Sequence, residues 1–104
     1  MAQDIYGKAL LDFSEGKHLE NITTLSSLAG KDEIPLPYLF RNFEEMPLIE
    51  QVALNAAKGK ILDIGAGTGS HSLYLQKKHP NTFALDISIG AIEVCKKRGV
   101  QHTV

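Results

Sequence analysis

Nine residues, Ile61-Leu62-Asp63-Ile64-Gly65-Ala66-Gly67-Thr68-Gly69, constrain the fold of this chain more than any other segment. Glycines at alternate positions let a chain turn sharply through dihedrals that a Cβ would oppose. They also clear side chains from a place where a ligand must touch the backbone. Before them, Lys60 to Ile64 is an apolar run broken only by Asp63, the pattern of a buried strand. After them, Ser70 to His79 is predicted as a helix stopped by Pro80, and Thr82 to Ile87 (TFALDI) as a second buried strand. The hydroxyl of Ser88 can cap the next helix. On that helix Ala91, Ile92 and Cys95 are expected to face inward, with Glu93 and Lys97 pairing four residues apart outside. Gly99 suits the left-handed residue after a helix, and Val100 to Val104 begins another strand. Strand, helix, strand, helix, strand at short spacing is the order of an α/β domain with a parallel sheet. Ligands of such sheets bind at the carboxyl ends of the strands.

The preceding residues read differently. From Ala2 to Phe13, Tyr6, Ala9, Leu10 and Phe13 recur at helical spacing, and Ser14-Glu15-Gly16 supplies a stop. Lys17 to Pro37 is irregular, punctuated by Gly30 and a Pro35-Leu36-Pro37 turn. Within it Leu19, Ile22, Leu25 and Leu28 fit a short helix, although Asn21, Thr23 and Thr24 are poor helix formers. Pro47 opens a helix from Leu48 to Lys58, with Glu50 near its positive end and Gly59 after it. Two stretches follow from this: residues 1–57 as an N-terminal helical lead-in, and 58–104 as the α/β part.

With 11 basic and 12 acidic residues the formal charge is −1, so there is no electrostatic case for a nucleic-acid partner or an anionic membrane. Lys96-Lys97-Arg98 is the densest basic cluster and reads as a solvated helix face. Cys95 is alone and can form no intrachain disulfide. Nothing resembles a signal peptide, and no apolar stretch nears the roughly 20 residues that a bilayer crossing needs. A cytoplasmic protein is expected.

The glycine loop departs from the two common phosphate-binding patterns. A dinucleotide loop wants G-x-G-x-x-G, but the last position counted from Gly65 is Ser70; a P-loop ends in Gly-Lys-Ser/Thr, where this chain has Gly69-Ser70-His71. Asp63, two residues before the first glycine, would repel a pyrophosphate but suits a ligand with an ammonium or sulfonium group. Asp86 closes the next strand and belongs at the same sheet edge, where a carboxylate can accept both hydroxyls of a ribose. S-adenosylmethionine has all the matching parts.

D-x-G-x-G-x-G after an apolar strand, with L-D-I-S ending the next, resembles the class I S-adenosylmethionine-dependent methyltransferases over Lys60 to Arg98. More loosely, Tyr38 to Ala57, with Phe40-Arg41 and Met46-Pro47-Leu48-Ile49-Glu50, is similar to the lead-in of a bacterial subgroup acting on small molecules. The resemblance implies a Rossmann-like sheet of seven strands, of which this chain would hold about three behind its N-terminal helical segments, so that it is expected to be a fragment inactive by itself. It implies that Gly65, Ala66 and Gly67 line the methionyl part of the cofactor and that Gly69 supports the turn. Asp63 would reach the amino group, Asp86 the ribose hydroxyls, and Ile87 would lie beside the adenine. The catalytic residues and the methyl acceptor, a small molecule, are not legible.

Other residues have plainer readings. His71 is expected on the helix surface or supporting the site from outside, rather than in catalysis. His18, His79 and His102 are isolated, no metal site is expected, and Cys95 packs as a small hydrophobe. Arg41 stays open between the cofactor carboxylate and a surface ion pair. Two rival functions remain: a non-catalytic cofactor-binding module, and a nicotinamide-dependent oxidoreductase, which Ser70 and Asp63 disfavour. The family's strand order also implies an open sheet edge along Ile61, Leu62 and Ile64, through which two copies could associate.

Overall fold

The computed structural model describes residues 4–16, 22–26 and 30–104. Helix α1 (Ile5–Ser14) comes first, capped by the Asp4 side chain, which accepts from Gly7 N. An antiparallel hairpin of β1 (Ile22–Ser26) and β2 (Gly30–Ile34) follows, in the register Ile22↔Ile34 to Ser26↔Gly30. The short helix expected from Leu19 to Leu28 is therefore wrong over Ile22–Ser26. Ile22, Thr23 and Thr24 are consecutive β-branched residues, stiff at χ1 and better suited to a strand. Leu19, Leu28 and His18, like the expected helix start at Ala2, lie outside the described residues.

The proline pair also does more than turn the chain. Pro35 opens the one-turn helix α2 (Leu36–Leu39) and Pro37 sits in its first turn, where a missing N–H costs nothing. A 3₁₀ turn, Phe43–Glu45, leads to α3 (Leu48–Ala56), which Pro47 starts as expected. Then come β3 (Ile61–Ile64), α4 (Ser70–Leu75), β4 (Thr82–Leu85) and α5 (Ile89–Arg98). Strands β3 and β4 pair in parallel, Ile61↔Thr82 through Ile64↔Leu85. The third strand begins as a single parallel bridge, Ala84↔Thr103, made by Ala84 N to His102 O and Val104 N to Ala84 O.

Helices cover one face of this sheet. Ile61 packs with Met46, Leu54 and Leu75, while Ala84 packs with Cys95 and Val100. The other face is open: Leu62 is 54% exposed and Ile64 74%. The sequence pattern predicts a buried strand at each run; β3 instead alternates between half-buried and exposed residues, because the described helices supply cover on one side only. A further core joins the two stretches of chain: Leu10 of α1 and Leu36 of α2 are buried against Ala91 and Val94 of α5. Ala91 and Cys95 face inward as expected, joined by Val94, with Ile92 only partly buried, whereas Lys97 lies 3.9 Å from Glu15, just past the end of α1, rather than pairing with Glu93. No helix among the described residues is long and apolar enough to cross a membrane.

Candidate functional site

The strand-to-helix turn after β3 is a run of left-handed glycines, with φ of +69° at Gly65, +58° at Gly67 and +84° at Gly69. What holds the run is β4. Gly65 N and Ala66 N both donate to Leu85 O, at 2.8 and 3.0 Å. Gly67 N donates to Asp86 Oδ2 at 2.9 Å, and Ser88 N donates to Asp86 Oδ1 at 2.8 Å. The two strand ends are thereby tied through the carboxylate singled out from sequence. Each oxygen of Asp86 takes one described donor and keeps acceptor capacity for another.

Beneath the loop, Cys95 donates its thiol to Gly67 O at 3.2 Å. Burial first, then the charges of Asp63 and Asp86, push that thiol up to about 11. Cys95 is fully buried, so it is a packing residue as expected, with the added task of holding the loop. Gly69 rests on the same core: a Cβ there would lie 2.8 Å from Val100 Cγ2 and 2.9 Å from Cys95 Sγ. Gly65 is the opposite case, with nothing within 4 Å of such a Cβ. Asp63 turns toward α4, where its Oδ2 accepts from Ser72 Oγ at 2.7 Å.

Arg98, at the end of α5, fastens the loop from the other side. Its Nη1 donates to Thr68 O, Thr68 Oγ1 and Ser70 Oγ, each at 2.9 Å, and Nη2 reaches Phe40 O at 3.3 Å. The Thr68 hydroxyl in turn donates to Leu39 O. The segment after α2 is thus bound directly to the glycine loop.

A cavity of about 140 Å³ opens above the loop, lined by Gly65, Ala66, Gly67 and Thr68, by Ser70 and His71 of α4, and by Tyr6, Leu39 and Arg41. Of the residues predicted from sequence, Gly65, Ala66 and Gly67 form its floor and Asp86 is bonded to that floor. Gly69 and Asp63 lie under it, and Ile87 stands fully exposed at the tip of β4. Arg41 is mostly buried and pairs with Glu50, whose Oε1 also lies 2.8 Å from His71 Nε2. The His71 hydrogen bond, then Arg41, hold the Glu50 carboxyl below its ordinary range. Arg41 Nε is buried with no hydrogen-bond partner among the described residues. Arg41 thus makes an ion pair, as one of its two readings had it, but a largely buried one.

Sequence reasoning missed Tyr6, read only as one apolar position of a helix, and Leu39. No local signal marks either, because their place depends on how α1 and α2 pack against residues far along the chain.

Residues 62–104 match the family described as Methyltransferase domain. An S-adenosylmethionine-dependent methyltransferase from Bacteroides fragilis, solved in complex with S-adenosyl-L-homocysteine, is similar at 43% identity with a TM-score of 0.86. The similarity covers 96% of this chain and 41% of that one. Among curated proteins, none matches.

Proposed function

Since the chain belongs to the class I S-adenosylmethionine-dependent methyltransferases, we propose that its glycine loop and strand-end carboxylates bind S-adenosylmethionine as the donor for methyl transfer to a small-molecule acceptor. The observation that carries this reading is the Gly67 N to Asp86 Oδ2 bond, which sets a close-approach backbone and a sugar-binding carboxylate side by side. The residues present fit the cofactor. Above Gly65 there is open space, where backbone can meet a ligand directly. Arg41 lines the cavity and supplies a positive charge there that suits a methionyl carboxylate. Asp86 retains acceptor capacity on both oxygens for the ribose hydroxyls. Ile87, fully exposed, offers apolar surface for the adenine ring. Asp63 holds one oxygen on Ser72 and places negative charge beneath the loop, favouring the cofactor's cationic groups.

When bound, the cofactor supplies a sulfonium methyl group that a nucleophile takes by in-line displacement, leaving a neutral thioether. The chain's own contribution is positioning: the loop is held by bonds to Leu85, Asp86, Cys95 and Arg98, contacts internal to the chain that limit the ordering a ligand has to supply. No residue of this chain is assigned to acceptor activation. We also propose a second copy as partner along the free side of β3, where Leu62 and Ile64 are exposed; light scattering that gives a monomer at high micromolar concentration would rule that out.

Calorimetric titration tests the main reading. S-adenosylmethionine and S-adenosylhomocysteine are expected to bind and NAD is not. Binding of NAD alone would replace the reading with the oxidoreductase one.

A further inference from the structure

Helix α1 reaches the site and is pinned there by one carboxylate. Asp4 accepts from Gly7 N at 2.9 Å, from Gly90 N at 2.8 Å, and from the Ser88 hydroxyl at 2.8 and 3.0 Å. Ser88 meanwhile accepts from Ala91 N at 3.0 Å. The first turns of α1 and α5 thus share a single acceptor, which satisfies amides that each helix would otherwise leave unpaired. The two helices touch where they meet. A Cβ on Gly90 would lie 2.5 Å from the Gly7 backbone, and one on Gly7 would lie 2.5 Å from Ser88 Oγ. Leu10 is completely buried in the same contact.

This docking carries Tyr6 over the glycine loop. Its hydroxyl is 3.0 Å from the position of a Cβ on Gly67, and Tyr6 lines the cavity together with Arg41 and His71. Among the described residues that hydroxyl has no hydrogen-bond partner. Tyr6 is 37% exposed, so water can accept from its hydroxyl, which is left as an uncommitted donor at the floor of the cavity where a ligand oxygen can take the water's place. Burial first, then the charges of Asp86 and Cys95, keep the phenol protonated, so it stays a donor.

We propose that Tyr6 is a cofactor-contacting residue, and that α1, fastened through Asp4, is a strap whose docking and cofactor binding support one another. The inference rests on the S-adenosylmethionine reading of the cavity. Among the described residues the Asp4 carboxylate bonds the first turns of α1 and α5 at Gly7, Ser88 and Gly90, none of which lines the cavity, so it acts on the ligand by holding α1. Because Tyr6 rides on that helix, free energy gained from a ligand oxygen at its hydroxyl also stabilises the docked helix, by linkage.

The test uses S-adenosylhomocysteine with the whole chain, read by calorimetry and by trypsin cleavage after Lys8, the one basic residue of α1. In the unaltered chain the ligand is expected to slow cleavage after Lys8 several-fold. Tyr6→Phe keeps the ring and removes the hydroxyl. It is expected to weaken binding about 2–10-fold, the range for one neutral hydrogen bond, and to leave cleavage of the free protein unchanged. Asp4→Ala is expected to speed that cleavage and to weaken binding as well. Equal affinity for Tyr6→Phe and the unaltered chain would overturn the proposal, as would a bound ligand that gives Lys8 no protection. If the unaltered chain does not bind S-adenosylhomocysteine, the cofactor reading itself has failed and this inference falls with it.

Discussion

Alanine at Gly69 should be costly for two separable reasons, and its neighbour Gly65 isolates one of them. Both glycines are left-handed, at φ +84° and +69°. Holding an L-residue there costs about 1–2 kcal/mol, and that part is common to Gly65→Ala and Gly69→Ala. The surroundings differ. At Gly65 the new methyl meets nothing within 4 Å, whereas at Gly69 it would lie 2.8 Å from Val100 Cγ2 and 2.9 Å from Cys95 Sγ. Those distances fall well inside the roughly 3.5–4.0 Å at which carbon contacts turn favourable. Neither partner can yield easily, since Val100 is 5% exposed and Cys95 fully buried. Overpacking of this kind costs about 1–3 kcal/mol. The expected destabilisation is therefore about 1–2 kcal/mol for Gly65→Ala and about 2–5 kcal/mol for Gly69→Ala. Urea denaturation with a common m-value measures both. The reasoning also demands non-additivity: with Cys95→Ala in the background, Gly69→Ala should cost less, because part of the clash has gone. Equal losses for the two glycine variants, or strict additivity with Cys95→Ala, would refute it.

Asp86→Ala should weaken S-adenosylhomocysteine binding more than His71→Ala does, because it removes both the loop contact and the carboxylate proposed to accept from the ribose; the reverse order of dissociation constants would overturn the site assignment. With its thiol pushed up to about 11 and no exposed surface, Cys95 should resist iodoacetamide at pH 8 in the folded chain and react once urea unfolds it; equal labelling rates would contradict the packing. Asp4, through the Gly90 and Gly7 amides, and Glu50, through His71 and Arg41, both have lowered folded-state pKa values. The stability they contribute is present above their unfolded values, about 3.9 and 4.3, and is lost as pH falls through the lower folded ones. Acid titration of the melting temperature should show that loss, and Glu50→Gln should flatten it.

What could be read from sequence was what neighbouring residues decide among themselves. The glycine turn, the Ser88 cap and the left-handed Gly99 at φ +105° are settled within a few residues, by dihedral and capping chemistry that sequence displays. Asp86 was placed at the right edge because parallel pairing leaves few alternatives for the end of β4. The helix proposed across Ile22 failed where weak apolar periodicity competed with a β-branched run. Lys97 went to Glu15 because α1 lies alongside α5, a partner that the i, i+4 rule does not know about. The surroundings of Tyr6 and Arg41 were not legible for the same reason. Their roles arise from contacts between segments tens of residues apart, as when Asp4 bonds Ser88 and Gly90.

The Arg98 guanidinium bears on the order in which this site comes together. It binds Phe40 from before the first parallel strand, Thr68 and Ser70 from the loop, and belongs itself to the last helix. Such contacts close long stretches of chain, and their entropy cost must be met before they return anything. The loop is therefore expected to lock late, after α5 has formed and the segment around Phe40 has docked. Removing the clamp, as in Arg98→Ala, should then leave the folding rate nearly unchanged and speed unfolding. A loop clamped in this way should be incomplete in a partly folded chain and complete only when the fold is.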